Sequence, residues 1–161
     1  MAQLSGSDIV YMARVAVPKI IALRVEIGTR FPASVTSQGK VLLAALDEDA
    51  LAETLAAPSA SRVVIAPPDL GELRSELQTV RAQCWALADE ELAPGVRSIA
   101  APVRDGSGNV RAAVNVTVHA AETSLERLIE QHLPPLLAAA GKISADWKRM
   151  KDRPYEAVGE H

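Results

Sequence analysis

Apolar and polar residues alternate strictly from Ser7 to Val17, with Ile9, Tyr11, Ala13, Val15 and Val17 on one side. That is the period of a half-buried strand. Pro18 ends it. From Ile20 to Ile27 the pattern resumes, with Ile21, Leu23, Val25 and Ile27 on one face and Arg24 and Glu26 on the other. Two such runs so close together predict an antiparallel pair. The period then changes. Ser37 to Leu46 carries Val41, Leu42 and Ala45 at helical spacing, and Asp47 is placed to cap a second helix through about Ala56. Pro58 to Pro68 reads as a connector with a short apolar run at Val63, Val64 and Ile65. Asp69 and Glu72 have the form of a capping box for a third helix, whose buried stripe is Leu70, Leu73, Leu77 and Val80.

Strands return at Trp85 to Asp89, Val96 to Asp105 and Val110 to His119. Asp105-Gly-Ser-Gly-Asn109 joins the last two and has the composition of a hairpin loop, not of a phosphate loop, because a strand follows it. Thr123-Ser-Leu-Glu126 caps a long helix to about Arg149, kinked or reset at Pro134 and Pro135. Residues 151–161 are polar and read as a disordered tail. The order strand–strand–helices–strands–helix, with hairpin-like connections, predicts an α+β domain over residues 1–150. Its sheet is antiparallel and flanked by helices, on one face or on both.

The connection from Ile27 to the helix at Ser37 carries the first candidate chemistry. Thr36 or Ser37 starts the helix, and its first turn is Ser37-Gln38-Gly39-Lys40. Backbone N–H groups at a helix N-terminus, beside a glycine that permits close approach, suit a small anion. An ordinary capped helix explains the same residues. Asn115, Thr117 and His119 share one face of their strand, opposite Val114, Val116 and Val118. They form either a solvent-facing polar row or the floor of a ligand pocket. Ser98, on the neighbouring strand among small residues, favours the pocket.

A histidine base is harder to place. His161 ends the tail, His132 reads as surface, and His119 meets Ser98 without any nucleophile motif. Asp89, Glu90 and Glu91 read as a solvated turn with no matching metal ligands elsewhere.

Composition narrows the class further. Aromatics are 3% of the 161 residues and the formal charge is −3, which gives neither stacking platforms nor a basic footprint for nucleic acid. One cysteine, Cys84, excludes an internal disulfide and a multi-cysteine zinc site. Its place beside Trp85 at a helix end predicts a buried, inert thiol. No apolar run approaches the roughly 18 residues of a membrane span, and the first residues lack the pattern of a signal peptide. The reading is cytoplasmic, without cofactor or metal.

Five segments, in order, resemble the C-terminal effector-binding domain of the IclR family of bacterial transcription regulators. They are Asp8-Ile-Val-Tyr-Met-Ala-Arg14, Gly28-Thr-Arg-Phe-Pro32, Thr36-Ser-Gln-Gly-Lys-Val-Leu-Leu-Ala44, Trp85-Ala-Leu-Ala-Asp-Glu-Glu-Leu92 and Gly95-Val-Arg-Ser-Ile-Ala-Ala-Pro-Val-Arg-Asp105. The Gly-Thr-Arg-Phe-Pro wording resembles the branch that controls aromatic-acid catabolism through the β-ketoadipate route. The resemblance implies a GAF-like or profilin-like sensor fold holding a small carboxylate between the sheet and the helix near Ser37. It implies backbone contacts from Ser37 and Gln38, side-chain contacts from Ser98, Asn115 and Thr117, and apolar walls at Leu23, Phe31 and Val96. It also implies homodimers or homotetramers.

Relatives that bind small 2-oxo acids can carry a carboxylate at the position of Ala88 and a cysteine at that of Ser98, so a roomier pocket is expected here. The winged helix-turn-helix that opens the family is absent from this chain, so DNA is reached only through that missing N-terminal domain. A stand-alone binding module and a Ser98/His119 hydrolase are the competing readings.

Overall fold

The computed structural model describes residues 1–15 and 24–151. Strand β1 (Ala2–Ser5) turns into β2 (Asp8–Tyr11), which pairs with β3 (Arg30–Pro32). A single 3₁₀ turn, Ala33–Val35, leads into helix α1 (Ser37–Ala44), followed by α2 (Glu48–Ala56) and α3 (Leu70–Gln83). Then come β4 (Ala86–Asp89), β5 (Val96–Arg104) and β6 (Val110–His119). The described part closes with the short α4 (Leu125–Arg127), a wide turn at Leu128–His132 and α5 (Leu133–Lys151). The strands form one antiparallel sheet in the order β3-β2-β1-β6-β5-β4, so the expected α+β class holds.

Helices cover both faces of that sheet. One core packs α1 and α3 residues Val41, Leu43, Leu73, Leu77 and Val80 on Ala2, Ile9, Phe31, Ala100 and Ala113. The other packs Leu128, Leu133, Leu136 and Ala140 on Ile99 and Ala101, with Val114, Val116 and Val118 beside them. The alternation of β5 and β6 therefore feeds two cores. Ser98 pairs with Thr117 and Ala100 with Asn115 on the α1 side, while Ile99 pairs with Val116 on the α5 side.

Local caps placed the helices well. Asp47, Asp69 and Thr36 each accept from a backbone N–H three residues on, at Ala50, Glu72 and Gly39. At the last helix Ser124 is the cap, accepting from the Arg127 N–H. Pro134 and Pro135 have no N–H to continue an α ladder, and their rings crowd the preceding carbonyls. The helix widens there, and the Leu133 N–H donates to the Leu128 carbonyl five residues back.

Several expectations need correction. Of the strand expected over Ser7–Val17, Asp8–Tyr11 is strand, residues 12–15 are not, and Ala16 and Val17 lie outside the described residues. The strand begins at Asp8 because Gly6 and Ser7 form the turn of a hairpin with β1. Gly6 sits at φ 60°, which suits the first position of a two-residue turn. Of the strand expected over 20–27, residues 24–27 are loop and turn, and the rest lies outside the described residues. Leu70 is exposed, since it opens α3 ahead of the stripe that Leu73 begins. Cys84 is exposed too. It follows α3 with φ 62°, and that left-handed turn swings it off the line of Val80. The tail over 151–161 falls outside the described side chains.

Candidate functional site

β1 touches β6 at one register pair, Ala2 with Ala113. Beyond that pair β6 runs on without β1, and a cavity of about 550 Å³ opens between it, β2, β5 and the start of α1. Such a volume is ordinary for a small-molecule site. Phe31, Ser37, Gln38, Val96, Ser98, Asn115 and Thr117 all line it, so seven of the expected site residues meet in one place. Gly39 does not line it, and Leu23 lies outside the described residues.

The α1 end of the cavity is built by capping. The Thr36 side chain takes the Gly39 N–H at 3.1 Å. The next N–H, that of Lys40, closes onto the Thr36 carbonyl at 2.9 Å. Among the described residues, no backbone acceptor meets the N–H groups of Ser37 and Gln38, which the first turn of a helix leaves without an intrahelical partner. Gly39 is thus not a free donor, and its lack of a side chain serves another purpose. A Cβ there would lie 2.0 Å from the Ala33 carbonyl oxygen and 2.3 Å from the Ala33 Cα. The glycine lets α1 seat against the 3₁₀ turn.

Side chains fix the rest of that end. The hydroxyls of Ser37 and Ser98 share a 2.8 Å hydrogen bond that ties α1 to β5. Gln38 Nε2 donates to the Ala113 carbonyl at 3.1 Å, which locks the amide between helix and sheet. Across the floor, Asn115 Nδ2 donates to Thr117 Oγ1 at 3.1 Å. Tyr11, which the sequence did not single out, stands edge-on to Phe31 at a centroid distance of 6.1 Å. Burial pushes its phenol above the ordinary tyrosine value, against smaller opposing pulls from Asn115 and Arg14.

Among the described residues no aspartate or glutamate lines the cavity, and Arg14 is a lining cation. Ala88 lines it where a carboxylate was the alternative. The arrangement offers two backbone donors at the positive end of a helix, hydroxyl and amide groups along a floor, and apolar walls. It suits an anion with an apolar body.

Catalytic pairing is not built here. Ser98 is bonded to Ser37, while His119 Nδ1 accepts from the Ala121 N–H at 3.2 Å. A smaller hollow of about 240 Å³ lies at the other end of α1, beside Val80, Cys84 and Pro102. Its arginines are already engaged, Arg81 by the Ala44 and Leu46 carbonyls and Arg104 by that of Gly108. Among the described residues no cluster of three or more His, Cys, Asp or Glu is placed to hold a metal, and no helix is long and apolar enough to cross a membrane.

The acidic turn is exposed at Glu90 and Glu91, as expected of a solvated loop, and its carboxylates also have partners. Asp89 pairs with Arg97 at 2.6 Å, Glu90 accepts from the Gly95 N–H at 2.8 Å, and Glu91 reaches the buried Lys40. These partners are set by the antiparallel register and by contacts distant in sequence, which composition does not reveal.

The family described as bacterial transcriptional regulator, IclR C-terminal, matches residues 1–145. The Pca regulon regulatory protein of Pseudomonas putida is 44% identical over 142 residues, covering 87% of this chain and 49% of that protein. A candidate transcriptional regulator from Rhodococcus sp. RHA1 superposes with a TM-score of 0.81 at 41% identity, over 91% of this chain and 60% of that one. The inducer-binding domain of PobR from Acinetobacter, a double mutant in complex with 3-hydroxybenzoic acid, gives a TM-score of 0.75 at 30% identity, over 89% and 85%. The chain spans about half the length of the curated relatives it matches. Those relatives are named as regulators, and the chain is a regulatory domain rather than an enzyme.

Proposed function

We propose that this chain, which belongs to the IclR family of bacterial transcriptional regulators as its C-terminal domain, senses a small organic acid for a longer, cytoplasmic, DNA-binding protein. The effector is an aromatic or dicarboxylic acid. The observation that carries the proposal is that Ser37 and Gln38, whose backbone N–H groups are left unpartnered, line a cavity with no carboxylate among its described lining residues. The acid group sits on those donors, Ser98, Asn115 and Thr117 contact its polar substituents, and Phe31 and Val96 hold its body. The names of the Pca regulator and the hydroxybenzoate complex of PobR support an acid of this class.

Residues 1–150 act as one effector-binding unit, and DNA is contacted through a winged helix-turn-helix elsewhere in the longer regulator. The effector acts by binding one arrangement of the subunits better than another, the only way a ligand shifts such a balance. Homodimers or homotetramers supply those subunits. Exposed Leu137 and Ala138 on the outer face of α5 support such a contact. A sizing column with light scattering is expected to give a dimer or larger species.

Calorimetry with protocatechuate, 4-hydroxybenzoate, β-ketoadipate and pyruvate tests the function. Binding in the micromolar to millimolar range is expected, roughly −8 to −4 kcal/mol. Asn115→Leu should weaken it without lowering the melting temperature. No heat with any of the four acids would refute the proposal.

A further inference from the structure

Lys40 is among the most deeply buried side chains in the molecule, 1% exposed, although it carries a charge. Its ammonium has three donors and each has an acceptor. Glu76 Oε1 on α3 and Glu91 Oε1 on the β4–β5 turn both lie at 2.6 Å, and the Leu87 carbonyl of β4 lies at 3.4 Å. Taking an ammonium out of water is costly, and removing a partner leaves that cost uncompensated. The three contacts are therefore held together.

What they join is the frame of the cavity. Lys40 belongs to the first turn of α1, the turn whose Ser37 and Gln38 line the cavity. Leu87 precedes Ala88, and Glu91 precedes Leu92; Ala88 and Leu92 are both wall residues. The Glu76 contact leads instead to α3, none of whose residues lines the cavity.

We infer that Lys40 is a positioning residue for the acid site. Through Glu91 and the Leu87 carbonyl it sets the gap between the α1 donors and the opposite wall at Ala88, Leu92 and Val96. Its bond to Glu76 anchors the same ammonium to the body of the domain. This inference rests on the proposed acid site.

The two ion pairs separate positioning from general stability. They have equal lengths, and the glutamates are similarly exposed, 41% for Glu76 and 38% for Glu91. Glu76→Gln and Glu91→Gln should therefore lower the melting temperature by similar amounts. Only Glu91→Gln should weaken binding of protocatechuate, or of β-ketoadipate if protocatechuate gives no heat. The expected loss is about fivefold or more, roughly the net worth of one hydrogen bond. Equal affinities in the two variants, or a larger loss in Glu76→Gln, would overturn the inference.

Amide exchange over residues 92–96 serves as the readout that needs no ligand. If the unaltered chain binds none of the four acids, the proposed function fails, and exchange decides the positioning claim separately. Faster exchange in Glu91→Gln alone upholds it, and equal rates in the two variants overturn it.

Discussion

Replacing Gly39 by alanine separates two explanations of the glycine in the first turn of α1. If it is there to leave room for an anion, alanine costs the ligand-free protein nothing and helps the helix. Alanine is favoured over glycine in a helix interior by about 0.8–1 kcal/mol. The geometry says otherwise. The new Cβ would meet three backbone atoms of Ala33 at 2.0, 2.3 and 2.5 Å, where real Cβ contacts essentially never fall under 3.0 Å. Helix and 3₁₀ turn would have to part by about 1 Å, breaking seating that no side-chain rotation can restore. Overpacking costs about 1–3 kcal/mol and occasionally more, and a backbone-to-backbone clash belongs at the top of that range. After subtracting the helix gain, the net loss is about 2 kcal/mol or more, a fall in melting temperature of about 4–8 °C for a chain of this size.

Gly141 is the control. It lies within α5, and a Cβ there meets nothing within 4 Å. Gly141→Ala should raise the melting temperature by about 2–4 °C. Thermal unfolding followed by circular dichroism reads both variants. A Gly39→Ala variant melting at or above the parent would refute the packing argument.

Two further outcomes follow from buried polar groups. The Tyr11 phenol is raised by burial, so its neutral form belongs to the folded state. Stability from this group is complete below about pH 10, where the unfolded phenol ionises, and falls as pH rises toward the folded value. Urea midpoints should decline across that range, and Tyr11→Phe should flatten the decline; an unchanged slope would count against it. Asp8 is buried and accepts from Ser59 Oγ at 2.6 Å and from the Ala60 N–H at 2.7 Å. Asp8→Ala should cost about 1.5–3 kcal/mol and speed tryptic cleavage after the exposed Arg62 in the connector it holds; unchanged cleavage would refute the latch.

How much of this was legible in the sequence depended on how local the cause was. Thr36, Asp47, Asp69 and Ser124 announce their helices because a cap needs only the next three residues. The site floor was legible because strand alternation puts Asn115 and Thr117 on one face and Val116 on the other. The first hairpin was not, because β1 is four residues long and turns at Gly6-Ser7, and the far end of β2 was not, because the alternation continues past Tyr11. Nor was β3, a strand of three residues inside what reads as a polar connection. Tyr11 passed for one apolar position among several, and its place at the site follows only from β2 lying beside the gap left by β1 and β6. The Lys40 contacts join residues 36 and 51 positions apart, which no window of the sequence brings together.

The central claim is that the effector's acid group rests on the two free donors of α1. Amide chemical shifts read those donors individually. When protocatechuate or β-ketoadipate is titrated into the isotope-labelled chain, the Ser37 and Gln38 amides should move most and saturate. The Gly39 amide, already bonded to Thr36, should move less. Largest shifts elsewhere, or no saturable shift at Ser37 and Gln38 with either acid, would contradict the account.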